Sequence, residues 1–565
     1  MKKNFTVVSL LFLLLILPTP IVSADDSLDI EAYAQDMQPG WNLGNSFDAV
    51  GQDETAWGNP PVTQALIDQI AAQGYNSIRI PVTFDQRMGH APDYTINQDF
   101  LDRVTQAVDW SLDTGMKVMI NVHHDSWIWL ESGMANNQQQ TVARFQAIWE
   151  QLADHFKDYP IELMFESINE PRFNADPSTS QQYLDRLNDE FHQIVRNSGG
   201  LNHMRPLVIP TLDTGAEPEK VNGLSNWINS KQDPNMMATI HYYGFWPFSV
   251  NIAGVTRFDH ESINHMHDAF DRVHNRFTAQ GIPVIVGEFG LLGFDTDLNT
   301  IQQGEKLKFF EYMIHYAKEK AFVHMLWDNG QHFGRTSFQW SDPDLYQVMK
   351  ASWSGRSATA EADFIYFKQG EPLTDQTLNL NLNGRTLESI KINGQRLSAS
   401  NDYALNGDQL TLKHQALSPF INLNQLGTRA TLELHFDQGA AWKVNLTVYD
   451  RPTVQANSGD YRTFHIPTQF NGDQLATMEA LYLHGEAAGP QNWTTYKEFG
   501  YVFSPDYDQN RVVFTYNEWD QHSRLFDEIR HNEPILIRLH FWSGEVIEYQ
   551  VMRQGNTVTG SPVTN

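Results

Sequence analysis

Thr63-Gln64-Ala65-Leu66-Ile67-Asp68-Gln69-Ile70-Ala71-Ala72-Gln73-Gly74-Tyr75-Asn76-Ser77-Ile78-Arg79-Ile80 holds the grammar of the fold in one stretch. Leu66, Ile67, Ile70 and Ala71 fall on one helical face, and Gly74 supplies a stop. Ser77 to Ile80 then reads as a short apolar strand. An amphipathic helix that hands over to a buried strand is half of the crossover unit that joins parallel strands. The segment Phe100 to Thr114, stopped by Gly115, follows the same logic and leads into Lys117-Val118-Met119-Ile120.

Outward from there, the alternation extends from residue 39 to about 345. Further strand candidates begin at Gly40-Trp41-Asn42-Leu43, Ile161-Glu162-Leu163-Met164-Phe165, Leu207-Val208-Ile209, Met237-Ala238-Thr239-Ile240, Val284-Ile285-Val286 and Val323-His324-Met325-Leu326. Eight strands in about 300 residues fit a closed (β/α)8 TIM barrel better than an open doubly wound sheet. No Gly-x-Gly-x-x-Gly follows the first strand, which argues against dinucleotide binding.

After about residue 350 the helical period fades and strict alternation takes over, as in Leu378-Asn379-Leu380-Asn381-Leu382. Asn-Gly pairs at 383, 393, 406 and 471 favour tight hairpins, a β-sandwich texture. Arg451-Pro452 and the polar run Thr453 to Asp460 read as a linker to a third region rich in aromatics. The expected class is therefore α/β: a barrel over residues 25–352, then two small all-β sandwich modules over 353–452 and 453–565.

Residues 1–24 read as a secretory signal peptide, with Lys2 and Lys3, an apolar run from Phe5 to Pro18, and Val22-Ser23-Ala24 before Asp25. A secreted, extracellular protein is expected. The apolar run is too short to span a bilayer, which needs about 20 residues. Cleavage moves the formal charge from −29 to −31, since the peptide carries two lysines and no acid. Such a surface repels nucleic-acid phosphates and anionic lipid, so neither is an expected partner. The chain has no cysteine, and its domains must be held by burial without disulfides. A monomer is the default expectation.

In a barrel of this kind the reacting groups sit at the C-terminal strand ends. Polar or aromatic residues there are Trp41, Asn42 and Asn45, then Arg79, His123 and His124, Asn169 and Glu170, His241 and Tyr243, Glu288, and Trp327. Cleaving an acetal between sugars takes one carboxylic acid to protonate the leaving oxygen and a second carboxylate to attack or to activate water. Glu170 and Glu288, on the fourth and seventh strands, supply such a pair. Arg79 and Tyr243 would favour an ionised nucleophile, and repulsion between the carboxylates would help the acid keep its proton. A His pair is also metal-ligand chemistry, but no His-Glu-x-x-His helix or clustered third ligand accompanies it, so no metal or other cofactor is expected. Arg79 reads first as a site residue, with a buried ion-pair role as the alternative, and Trp41 reads equally as site residue or core.

Gly40-Trp41-Asn42-Leu43-Gly44-Asn45, Arg79-Ile80-Pro81-Val82, Asn121-Val122-His123-His124, Ile168-Asn169-Glu170-Pro171, His241-Tyr242-Tyr243 and Gly287-Glu288-Phe289-Gly290 resemble glycoside hydrolase family 5, over roughly residues 30 to 345. The resemblance implies a retaining mechanism with Glu170 as acid/base and Glu288 as nucleophile. It places Arg79, His123, Asn169, His241, Tyr243 and Trp327 at the family's other active-site positions, with His123 preferred over His124. Residues 355–452 resemble the immunoglobulin-like X2 module of bacterial cellulases, and 455–560 resemble carbohydrate-binding module family 46. The X2 region, whose one tryptophan is Trp442, reads as a spacer. In the last region, with Trp493, Trp519 and Trp542, Trp542 is expected to be an exposed sugar platform because Ser543-Gly544 follows it.

The expected function is an endo-acting β-1,4-glucanase on cellulose-type, mixed-linkage or xyloglucan chains, with β-glucan as partner. A β-mannanase is the alternative enzyme. A non-catalytic glucan-binding protein is the alternative outside catalysis. The last module would either anchor the enzyme on polymer or complete its cleft.

Overall fold

The structure, a computed structural model, describes residues 28–295 and 297–563. The expected signal peptide lies outside them. Among the described residues, no helix is long and apolar enough to cross a membrane.

Eight parallel strands close into a barrel in sequence order: β1 (Gly40–Asn42), β2 (Ser77–Ile80), β3 (Lys117–Asn121), β4 (Leu163–Glu166), β5 (Leu207–Pro210), β6 (Met236–Tyr242), β7 (Val284–Phe289) and β8 (Phe322–Leu326). β1 pairs with both β2 and β8, which closes the ring. The helix read from the opening stretch spans Gln64–Gln73, capped by the Thr63 side chain and ended by Gly74 at φ 107°. Only a residue without Cβ takes that backbone turn at little cost. Leu66, Ile67 and Ile70 are its buried face.

The barrel end opposite the strand C-termini is sealed by the helix Ile30–Gln35. Its Ile30, Tyr33 and Ala34, with Met37 after it, pack onto Met119, Met164, Met237 and Met325. Branched Val208, Ile285 and Val323 share this layer, and the unbranched methionines fill the gaps between them.

Residues 359–449 form a five-stranded and a four-stranded sheet. Asn393 and Gly394 (φ 46° and 82°) make a two-residue turn between Leu387–Ile392 and Gln395–Arg396, both residues left-handed as a tight hairpin requires. Trp442 is core, its indole N–H donating to the Ala362 carbonyl. The apolar core runs without a break from the barrel into this module. Bidentate Arg356–Glu311 pairing and Lys443–Asp344 add polar ties.

The last module has a six-stranded and a four-stranded sheet around its own core. It docks on the barrel loops after β6. Asn251, only 4% exposed, donates to the carbonyls of Thr300 and of Ala476 in the module, and accepts from the Phe499 N–H. Gly254 faces the Tyr496 ring so closely that a Cβ there would lie 3.1 Å from it.

Trp542 departs from expectation. It is half-buried at the point where all three parts meet, 5.6 Å from the Phe364 ring and with the Arg257 guanidinium 5.1 Å over its face. The Ser543-Gly544 turn does follow it, with Ser543 bonded to Asp473 of the same module, but the ring is covered by Phe364 and Arg257 of the two neighbouring parts. Trp542 is therefore not the exposed ring that was expected.

Candidate active site

Arg79 organises the barrel mouth. Its side chain is fully buried, and the guanidinium donates through Nε to Glu166 (2.7 Å), through Nη1 to Asn42 (3.0 Å) and Glu288 (2.7 Å), and through Nη2 to Asn169 (2.7 Å). Burial alone would depress its basicity. Glu166 and Glu288 overcome that and push it above the usual arginine range. Both readings of Arg79 therefore hold at once: it is a buried ion-pair member and it touches the carboxylate pair.

Glu288 is brought inward by a bulge. β6 and β7 stay in register up to Ile240 opposite Val286, and then His241 faces Glu288, so that Gly287 is the extra residue. A Cβ on Gly287 would lie 2.8 Å from Thr239 Oγ1 and 3.3 Å from His241 Nε2, so only glycine fits the bend. The Gly287 carbonyl accepts from Asn42. The Glu288 side chain, 5% exposed, also accepts from the Tyr243 hydroxyl at 2.6 Å.

Glu170 follows β4 with φ 39°, a left-handed conformation rare outside glycine and asparagine, and its side chain is 44% exposed at the mouth. His241 Nδ1 lies 2.8 Å from Glu170 Oε1 and 3.5 Å from Glu288 Oε2. One oxygen of each carboxylate comes within 4.8 Å of the other. Burial opposes ionisation of Glu170, yet its hydrogen bond to His241 and the charges of His241, Arg79 and His124 hold it below the usual carboxylate range. Burial likewise disfavours charge on His241, but Glu288 and Glu170 raise it above the usual histidine range. Both shifts favour a Glu170 carboxylate hydrogen-bonded to the His241 imidazole. The expected repulsion between the carboxylates is thus opposed by an imidazole that lies between them.

His123 is buried and stacks parallel to Trp327, ring centroids 5.9 Å apart. Burial, reinforced by His124, Arg79 and His241, holds it well below the usual histidine range, so it is neutral. Its Nδ1 accepts from Asn121, which leaves the proton on Nε2, 4.0 Å from Glu288. His124 instead accepts from Trp127 at Nδ1 and places Nε2 3.4 Å from Asp48. It is His123 that adjoins the carboxylates. Asn169 spends its oxygen on Arg79, leaving the amide nitrogen as the end that Arg79 does not engage. Trp327 is half-buried just past β8.

Asn45 contributes through its backbone. At φ 53° it sits in a turn where its N–H is bound by Asp48 and its carbonyl by Asn59. Trp41 is core, its indole donating to Asp328 and Arg335 lying 4.7 Å over its ring. Trp57, Trp127 and Trp246 are exposed. Trp129 is bound to Asp125, and Trp340 stacks on Tyr346. Glu166 and Asp48 were not anticipated. The signal for Glu166 was a carboxylate closing the apolar run Leu163-Met164-Phe165, four positions before Glu170.

Among the described residues, two clusters hold metal-ligand types within 4.8 Å of one another: Glu170, His241 and Glu288, and Asp48, His123 and His124. In the first, the Arg79 cation already occupies one Glu288 oxygen, so a divalent ion there would meet like-charge repulsion.

Residues 40–333 match the cellulase family, glycosyl hydrolase family 5. The chain belongs to that family. Residues 359–446 and 450–561 of this family 5 hydrolase match carbohydrate-binding domain X2 and a carbohydrate-binding domain of family 46. It is 50% identical to endoglucanase B of Paenibacillus lautus over 549 residues, 96% of this chain and 95% of that protein. Its structure is similar to the tri-modular endo-β-1,4-glucanase B of Bacillus halodurans, with a TM-score of 0.92 and 51% identity over 95% of this chain and 100% of the other. It is also similar to a tri-modular family 5, subfamily 4, endo-β-1,4-glucanase of Bacillus licheniformis in complex with cellotetraose, with a TM-score of 0.78 and 28% identity over 95% and 99%.

Proposed function

We propose that this hydrolase is a secreted, monomeric, retaining endo-β-1,4-glucanase, with Glu288 as nucleophile and Glu170 as acid/base. The observation that carries the reading is the approach of the two carboxylates, oxygen to oxygen within 4.8 Å. Retaining enzymes hold their carboxyl groups about 5–5.5 Å apart, whereas inverting ones leave roughly 6.5–9.5 Å for a water.

Glu288, aimed by Arg79 and Tyr243, attacks the anomeric carbon as its bond to the leaving oxygen breaks. Glu170 gives that oxygen a proton. His241 competes for this proton through its hydrogen bond to Glu170, and expulsion of water by the glucan chain favours the neutral pair, with the proton on Glu170. A water then attacks the glycosyl ester while Glu170 takes its proton, and Glu288 leaves as carboxylate. Two displacements restore the starting anomeric configuration. The Asn169 amide nitrogen and neutral His123 Nε2–H are donors beside the reacting sugar, and Trp327 offers its ring face.

Domain boundaries are proposed near 352/353 and 452/453; matches over 40–333, 359–446 and 450–561, and strands that end at Tyr449 and resume at Thr453, support them to within a few residues. For the last module, the direct docking at Asn251 favours completion of the cleft over a free anchor. Cellulose-type, mixed-linkage and xyloglucan chains are the proposed substrates, in keeping with the endoglucanase names of the relatives.

The test is product analysis on unbranched mixed-linkage glucan, xyloglucan, a soluble cellulose derivative and mannan, with the anomer of the first product followed by NMR. Release of β-anomer from the glucans is expected. Activity on mannan alone, or first release of α-anomer, refutes the proposal. Glu170→Gln and Glu288→Gln should each abolish polymer hydrolysis, which a pure glucan binder would not show.

A further inference from the structure

Glu166 touches neither the cleft nor any group that must react, yet it is the other anion on Arg79. Its side chain is fully buried at the end of β4, where Oε2 accepts from Arg79 Nε at 2.7 Å and from Asn121 at 2.9 Å; Oε1 has no hydrogen-bond partner. Packing needs no carboxylate here, and an unpartnered buried oxygen is costly. The charge balance of the proposed reaction explains it.

In double displacement the negative charge of Glu288 disappears when its oxygen bonds the anomeric carbon, because the ester is neutral. Arg79, with no solvent access, would then be a buried cation stripped of the anion on Nη1, a state proteins avoid. The other charged groups facing this centre do not replace that anion. His123 is neutral, the imidazoles of His241 and His124 can supply no negative charge, and the anion left on Glu170 after it yields its proton is bonded to His241 at the exposed mouth. Glu166 alone stays on the guanidinium throughout.

We propose that Glu166 is a positioning residue that serves as the permanent counter-ion of Arg79, allowing the charge of Glu288 to be consumed in the covalent intermediate without stranding a buried guanidinium. The inference rests on the retaining reading. Its consequence is directional: without the Glu166 charge, the glycosyl-enzyme is harder to form and quicker to collapse, because Arg79 draws the charge back onto Glu288.

The test uses the full chain and a dinitrophenyl cellobioside fluorinated at the hydroxyl next to the anomeric carbon. This probe needs no acid catalysis and slows turnover of the adduct. Mass spectrometry of the wild type should find the adduct on Glu288; its absence there overturns the retaining reading itself, whatever Glu166 does. Given that adduct, Glu166→Gln should be trapped at least ~10-fold more slowly and reactivate faster than wild type. Equal slowing of both rates, or wild-type rates for both, overturns the counter-ion. If the Gln variant does not accumulate folded, Glu166→Asp, which keeps the charge on a shorter arm, is read instead. An adduct as long-lived as the wild type's supports the proposal, and a short-lived one overturns it.

Discussion

The ring of Trp246, on the barrel loop after β6, stands 6.0 Å from that of Trp493 on the last module, inclined by 42°. The rings are 43% and 59% exposed, so the seam between two modules presents one paired apolar surface on the loop that follows His241 and Tyr243. A glucan chain leaving the carboxylates in that direction would meet both. Trp493→Ala should lower kcat/KM on soluble polymer by about fivefold, the value of roughly 1 kcal/mol for one lost ring contact. On an aryl cellobioside, too short to reach the seam, kcat/KM should not change. An equal loss on both substrates would show that Trp493 acts on the fold instead.

Trp542 makes a separate prediction because it is covered. Held between Phe364 and Arg257, it ties the last module to both of its neighbours. Trp542→Ala should loosen the seam, so that limited proteolysis cuts faster between residues 449 and 457. Polymer hydrolysis should fall as for Trp493→Ala while aryl cellobioside hydrolysis holds. Unchanged proteolysis together with lost glucan affinity would return Trp542 to the role of sugar platform.

These two tryptophans show where the sequence was legible and where it was not. The Thr63–Ile80 stretch states its structure locally: a cap, a face and a left-handed glycine are each specified within a few residues. Asn393-Gly394 does the same for a hairpin. The order of strands then follows from crossover rules, and Glu170 and Glu288 could be found because strand ends in a barrel converge. Trp542 could not be placed, since its exposure depends on Arg257 and Phe364, 285 and 178 positions away in the chain. The lowering of the Glu170 carboxyl was equally out of reach. It depends on an imidazole, 71 positions away, lying within 2.8 Å. The bulge at Gly287 is a matter of register between strands, which no single segment encodes.

The hydrogen bond between Glu170 and His241 sets a pH dependence. His241 is raised above the usual histidine range by Glu288 and Glu170 against its burial, so the Glu170–His241 pair keeps its proton past the pH at which an ordinary histidine would lose it. Remove the imidazole, and the proton must be held by a carboxyl group alone, whose unperturbed value is about 4.3. His241→Gln should therefore move the basic limb of kcat/KM toward acid by ~1 unit or more, with most of the loss at neutral pH and the least at the acid end. A basic limb that stays in place would mean that His241 does not share the catalytic proton.

Asp363 sets a pH dependence of stability rather than of catalysis. It lies at the seam between barrel and X2 module, 6% exposed, accepting from Gln302. Burial pushes its carboxyl up to about 6, helped by Glu305, while the Gln302 hydrogen bond and Lys308 pull the other way. An acid whose folded value lies above its unfolded value binds its proton more tightly when folded. Stability is therefore full below about 3.9 and lost as pH rises through about 6, by at most about 3 kcal/mol. Asp363→Asn keeps the shape and removes the charge. Its denaturation midpoint should exceed that of wild type at pH ~7.5 and match it at pH ~4, so the gap between the two proteins opens as pH rises. A gap of the same size at both pH values would mean that the substitution acts through packing at the seam, and that ionised Asp363 carries no penalty there.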